Sequence, residues 1–116
     1  MSYDVLADLC DYLSGALGVP CSTAVPTARP AEFVTLERTG GGSIIGRDSP
    51  NLAVQCWSSN GETAAYTLAL AAREAILSSW EAIGSVCRAE VGSIYRFPDP
   101  DSRTDRYQLD ASLVTR

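Results

Sequence analysis

Apolar residues recur every three or four positions at the start of the chain. Val5, Leu6, Leu9, Cys10, Leu13, Ala16 and Leu17 share one side of a helical wheel, and Asp4, Asp8 and Asp11 share the other. This spacing predicts an amphipathic helix, with Ser2 as N-cap and Gly18 as its stop. The stretch "VPCSTAVPTARP" then carries three prolines, each fixing φ and turning the preceding residue away from helix, so an extended surface connection is expected. Alternation takes over in "AEFVTLERT", with Val34 and Leu36 on one face, Phe33, Thr35 and Glu37 on the other, and Arg38 ending the Val34 face. A second alternating run, "NLAVQCWSS", sets Leu52, Val54 and Cys56 against Ala53, Gln55 and Trp57, and pairing with residues 32–39 is the simplest arrangement. Between the two runs, "GGGSIIGRDSP" holds four glycines, more backbone freedom than a tight two-residue turn requires. A longer, projecting hairpin arm is expected there.

Helical spacing returns in "SSNGETAAYTLALAAREAILSSW", where Ser59 and Glu62 suggest a capping box and residues 60–79 a helix. Tyr66, Ala69, Leu70, Arg73, Ile76, Leu77 and Trp80 recur at that spacing and are expected to pack in the core. "GSVCRAEVGSIYRFP" and "DRYQLDASLVTR" close the chain as two alternating runs, with Tyr107, Leu109, Ala111 and Leu113 on one face of the last. The charged loop "FPDPDSRTDR" joins them. The order helix, strands, helix, strands predicts an α+β fold: a mainly antiparallel sheet of about four to five strands with two helices packed on one face. Such an open sheet has edges, and a second copy of the chain is one way to cover them.

A length of 116 residues with 46% hydrophobic and 20% charged residues fits one domain, here residues 1–116, with its own core. The net charge of −5 argues against sustained binding to DNA or to an anionic membrane. All nine cations are arginine, for which two explanations compete: interface ion pairs, which arginine suits, and, as the favoured reading, an arginine-biased genome. The opening "MSYDVLADLC" lacks the basic and apolar regions of an export signal, and "AAYTLALAA" is about half a membrane span. With no histidine and no CxxC pair, Cys10, Cys21, Cys56 and Cys87 are read as reduced thiols, a disulfide framework being the minor alternative.

Catalytic chemistry finds little support. The chain has no GxSxG elbow, no GxxxxGK[ST] loop and no HExxH pair. "GGGSIIG" joins two strands and opens no helix, so it is no phosphate cradle. Cys56 lies within an alternating strand without a partner base, and the acids of the first helix and of the loops read as solvated faces. No enzyme activity, cofactor or metal is expected.

The ordered stretches "VPTARPAEFVTLERTGG", "RDSPNLAVQCWSSNGETA", "LAAREAI" and "FPDPDSRTDRYQLDASL" carry a resemblance over nearly the whole chain. Their main features are Arg29-Pro30 ahead of Phe33-Val34, Arg38 with Gly40-Gly41, Asp48 and Pro50 before the Val54 to Trp57 strand, and Pro98-Asp99-Pro100 with Arg106-Tyr107. In this order they resemble the tail terminator, or tail completion, proteins of long-tailed double-stranded DNA phages. That resemblance implies an α+β subunit of a homo-hexameric ring at the head-tail junction of a virion, assembled in the host cytoplasm. It implies as partners the major tail tube protein and the head-tail connector or stopper protein, with DNA only in transit through the lumen. Contacts to other subunits or to the tube are expected from Arg38, Gly40, Gly41, Gly42, Arg47, Asp48, Asp99, Asp101, Arg103, Asp105 and Arg106. The prolines would hold a fixed surface while the glycine arm docks; the plain alternative is a mobile turn beside a surface loop. Two other functions stand beside the terminator: a different neck or connector protein, and a small dimeric ligand-binding domain using the Trp57 and Trp80 region.

Overall fold

The heptad-like spacing at the start of the chain forms helix α1, Val5–Leu17, in a computed structural model that describes residues 5–44, 47–100 and 104–115. Side chains are described for all of these except residues 43, 44, 47 and 48. Val5, Leu9 and Leu13 are buried, Asp8 and Asp11 are exposed, and Gly18, at φ 69°, ends the helix with its N–H donating to the Ser14 carbonyl. The proposed Ser2 cap lies outside the described residues. Within the proline-rich connection the two residues Cys21–Ser22 form a short strand, β1.

The remaining elements follow the expected order: β2 Glu32–Ile44, β3 Arg47–Ser58, helix α2 Glu62–Leu77, a single turn α3 Ser79–Ala82, β4 Val86–Arg96 and β5 Asp105–Thr115. The five strands form one sheet in the order β1-β2-β3-β5-β4, antiparallel throughout except for β1 beside β2. This is the α+β fold the alternation predicts. Val34, Leu36, Leu52, Val54, Cys56, Leu109, Ala111 and Leu113 point to one face and are buried with Val5, Leu9 and Leu13 of α1 and Leu68, Ala69, Ala72 and Ile76 of α2. Small alanines on α2 bring its backbone close to the sheet, and each buried leucine contributes about 2 kcal/mol of transfer free energy.

Three expectations are corrected. The expected hairpin arm is present, but strand pairing does not stop at residue 39: Gly40, Gly41 and Gly42 lie in β2, opposite Asn51, Pro50 and Ser49, and pairing runs on to Ile44 and Arg47. The hairpin is long because its ladder is long, and only two residues separate the paired ends. One extra residue, Thr39, is accommodated between Arg38 and Gly40 as a bulge, which reverses the face each following β2 residue presents. Gly41 is required by the backbone, since φ is 111° and a Cβ would stand 2.1 Å from the Ser49 carbonyl oxygen. Pro50, lacking an N–H, sits where the β3–β5 pairing skips from Asp48↔Thr115 to Asn51↔Ser112.

The second correction concerns the start of α2, where Gly61 at φ 115° is the N-cap and no side chain caps the helix. Ser59 donates instead to the Ala31 carbonyl at 3.2 Å, and Glu62 accepts a bond from Tyr107 at 2.8 Å, so tertiary partners replace the capping box. The third concerns its buried stripe. Ala69 and Ile76 are in the core, but Tyr66, Leu77 and Trp80 are 42%, 39% and 55% exposed. The sheet-facing positions are Ala65, Leu68, Ala69, Ala72 and Ile76, about one residue round the wheel from the bulkier stripe. Among the described residues no helix is long and apolar enough to cross a membrane.

Candidate functional site

The face of the sheet turned away from the helices carries two side-chain rows fixed by strand register. In the first, Phe33, Trp57 and Arg106 are direct cross-strand neighbours on β2, β3 and β5. Phe97 follows beyond the end of β4, its N–H donating to the Arg106 carbonyl at 2.9 Å. Phe33 and Trp57 stack with centroids 5.1 Å apart, and the Arg106 guanidinium lies 4.6 Å from the Trp57 centroid and 4.8 Å from that of Phe97. Arg106 Nε donates to the Phe97 carbonyl oxygen at 2.7 Å. From the proline-rich connection, Arg29 reaches over the same Trp57 ring at 5.4 Å and pairs with Asp99 at 3.9 Å. Cation–π contacts of this kind are worth roughly 0.5–2 kcal/mol each, more where water is excluded.

One row further along, polar side chains form a directed chain across four strands. Trp57 Nε1 donates to Thr35 Oγ1 at 3.0 Å, and Thr35 Oγ1 donates to Gln55 Oε1 at 2.7 Å. Gln55 Nε2 then donates to Gln108 Oε1 at 3.3 Å, and Gln108 Nε2 to the Tyr95 hydroxyl at 2.7 Å. Antiparallel sheets leave one face to solvent or to a partner, and these hydrogen bonds hold its side chains in fixed positions before any partner arrives. Tyr107, on the helix-side face, donates its hydroxyl to Glu62, which with Arg96 and Asp105 forms an exposed ion-pair group. The hydrogen bond to Glu62 pushes the Tyr107 phenol above its ordinary range.

The expected contact residues do not converge. Asp99, Asp105 and Arg106 lie at one end of the strands, beside Phe33, whereas Gly40, Gly41 and Gly42 lie towards the other and Arg38, opposite Leu52 in the middle of β2, lies between. Nine residues of strand separate Phe33 from Gly42, about 30 Å. Arg38 is exposed, Asp105 is half-buried and paired with Arg96 at 3.6 Å, and Asp99 is half-buried. Arg106 is only 8% exposed and is held by its own sheet. Arg47 and Asp48 are placed by backbone alone, and Asp101 and Arg103 lie outside the described residues. The sequence does not by itself reveal Trp57 and Phe97 as partners of Arg106, or Arg29 as a partner of Trp57 and Asp99. A usable signal was present: Phe33 and Trp57 both occupy the outward positions of their strands, and aromatic residues there imply cover from elsewhere in the chain.

Trp57 and Trp80 form no common pocket. Trp57 is buried on the face opposite the helices, and Trp80 is exposed on α3. The groove between α1 and the turn after α3, about 610 Å³, is open and lined by Asp8, Asp11, Tyr12 and residues 82–85. Among the described residues no group of three or more acidic or cysteine side chains is arranged to hold a metal ion. No protein-family model matches the chain, and no curated protein sequence matches it significantly.

Proposed function

We propose that the protein is a virion structural component that acts as a tail terminator: a ring of identical subunits that caps the finished tail tube, stops its growth and offers a surface for head joining. The observation that carries this reading is the separation of its two contact ends. The glycine-bearing part of the β2–β3 hairpin stands at one end of the sheet, and the Arg29–Asp99 pair at the start of the β4–β5 connection at the other, about 30 Å away along β2, with exposed Arg38 midway between them. A ring subunit between tube and connector needs two such ends, whereas an enzyme or a ligand-binding domain needs convergence on one cavity.

Lateral contacts between subunits fall to the exposed stripe of Tyr66, Leu77 and Trp80 on α2 and α3, an apolar surface that a second copy would cover. The net charge of −5 suits a conduit, because a negatively lined lumen lets DNA pass without adhering. Capping is competition for the end of the tube and requires binding alone, with no cofactor and no covalent step. A different neck or connector protein would share the two-ended build, and binding of the ring to one end of purified tail tubes distinguishes the terminator from it.

A phage lacking the protein is expected to make filled heads and unjoined tails, with tubes that overrun their normal length. Purified protein added back restores joining without nucleotide or metal. Normal tail length with normal head attachment in the deletion overturns the proposal.

A further inference from the structure

Three of the four cysteines lie near one another where α1 meets the sheet, and the register separates a reactive pair from the third. The Cys21 N–H donates to Ser14 Oγ at 3.0 Å, which ties β1 to the last turns of α1. Cys10 lies one helical turn before Ser14 on the same face of α1. Cys10 and Cys21 both pack against the core at this junction while partly exposed, and the Cys10 thiol is the polar neighbour that, with burial, raises the Cys21 thiol above its ordinary range. Cys56 is fully buried and stands two strands away, since Cys21 pairs with Val34 and Val34 with Cys56. Two strand spacings are about 10 Å, beyond the roughly 7 Å Cα separation that a disulfide spans. Cys87 is exposed on β4, at the opposite edge of the sheet.

We propose that Cys10 and Cys21 are a redox-sensitive pair that a small-molecule disulfide converts to an intramolecular disulfide, stapling α1 to β1. The Cys10 thiolate attacks the small disulfide, forming a mixed disulfide at Cys10 and expelling one small thiolate, which takes up a proton. Cys21 then gives its proton to solvent and attacks the Cys10 sulfur. The Cys10–Cys21 bond forms, the mixed disulfide breaks, and a second small thiolate leaves and is protonated. Two protein thiols are oxidised and one small disulfide is reduced to two thiols. Beginning instead at Cys21 gives the same products, since both residues are partly exposed. The staple closes a short loop through Gly18 and Pro20 and fixes β1, the strand that shields the Val34–Thr35 part of the β2 edge. This inference does not depend on the terminator reading.

The test uses the full chain with Cys87→Ser, which removes an exposed thiol far from the pair. After incubation with oxidised glutathione, mass spectrometry is expected to show loss of two hydrogen atoms, no retained glutathione and a peptide linking Cys10 to Cys21. The melting temperature of that product rises by several degrees relative to the reduced protein. Adding Cys21→Ser to this background leaves one stable glutathione adduct on Cys10, because the resolving thiol is gone. Retained glutathione without a cross-link, a link through Cys56, or no reaction in the Cys87→Ser protein each overturns the proposal. The first variant decides it even if the doubly substituted chain does not fold.

Discussion

Arg106 faces Trp57 directly across the β3–β5 ladder, its guanidinium 4.6 Å from the ring centroid and its Nε bonded to the Phe97 carbonyl at 2.7 Å. A single charged side chain thus joins the strand end, the ring stack and the segment leading out of β4. Arg106→Ala is expected to destabilise the fold by about 3 kcal/mol, the sum of a charge-assisted bond and a sheltered cation–π contact. Arg106→Lys should lose more than half of that, because an ammonium lacks the planar fork that stacks and donates together. Arg29→Ala, at the exposed side of the same ring, should change stability by less than about 1 kcal/mol. Urea unfolding at neutral pH measures all three, and equal losses for Arg106 and Arg29 would contradict the assignment.

Gly41 is set apart from its two glycine neighbours. Gly41→Ala is expected to destabilise by roughly 2 kcal/mol or more, through positive φ and a Cβ driven against the Ser49 carbonyl. A Cβ at Gly40 or Gly42 meets nothing within 4 Å, so alanine there should lie within about 1 kcal/mol of wild type. Thermal denaturation of the three variants separates a strand with one obligatory glycine from a freely flexible turn, in which all three would behave alike.

Alkaline pH should weaken the fold. Burial pushes the Cys56 thiol up to about 12 from an ordinary 9.0, so the folded state holds a proton that the unfolded chain releases. The contribution is fully present below pH 9.0 and is lost as pH rises towards about 12. Cys21 shifts in the same direction, through its Cys10 hydrogen bond and burial. Stability is expected to fall by up to about 1.4 kcal/mol per pH unit for each such thiol above its unfolded value. Cys56→Ala should reduce that slope while lowering stability at neutral pH, as urea midpoints at pH 7.5, 9.5 and 10.5 would reveal. An unchanged slope would place the alkaline loss elsewhere.

Assembly should respond to surface changes that folding ignores. On the proposed ring assembly, Leu77→Asp with Trp80→Asp is expected to reduce ring formation at least tenfold while shifting the melting temperature little, because both side chains are exposed. Arg38→Glu should weaken binding to tail tubes and leave the ring intact. Sedimentation and tube-binding assays read these separately. Rings that survive the paired aspartates would exclude the α2 stripe as a subunit contact.

Much of the fold was legible because burial writes a period into the chain. Val34 and Leu36, Leu52, Val54 and Cys56, and Leu109, Ala111 and Leu113 alternate as a half-covered sheet requires, and all are buried. Helix α2 was legible in its existence but not in its orientation. Its alanines are ambiguous in hydrophobicity, so periodicity alone favours Tyr66, Leu77 and Trp80 as the core stripe, whereas close packing against the sheet selects the small residues. The charged and glycine-rich stretches were legible from composition, yet their separation depends on strand length and register, which local composition does not encode.

By itself the sequence determined the α+β class, the order helix, strands, helix, strands and the apolar faces of β2, β3 and β5, because these follow from periodicities of 2 and 3.6 residues that need no partner. Only the tertiary structure decided that Glu62 bonds Tyr107 and caps nothing, that three glycines continue a strand, and that Arg29, Trp57, Phe97, Asp99 and Arg106 meet. The physical reason is the same in each case. A polar or flexible residue has several local solutions of similar free energy, and long-range packing and backbone pairing select among them.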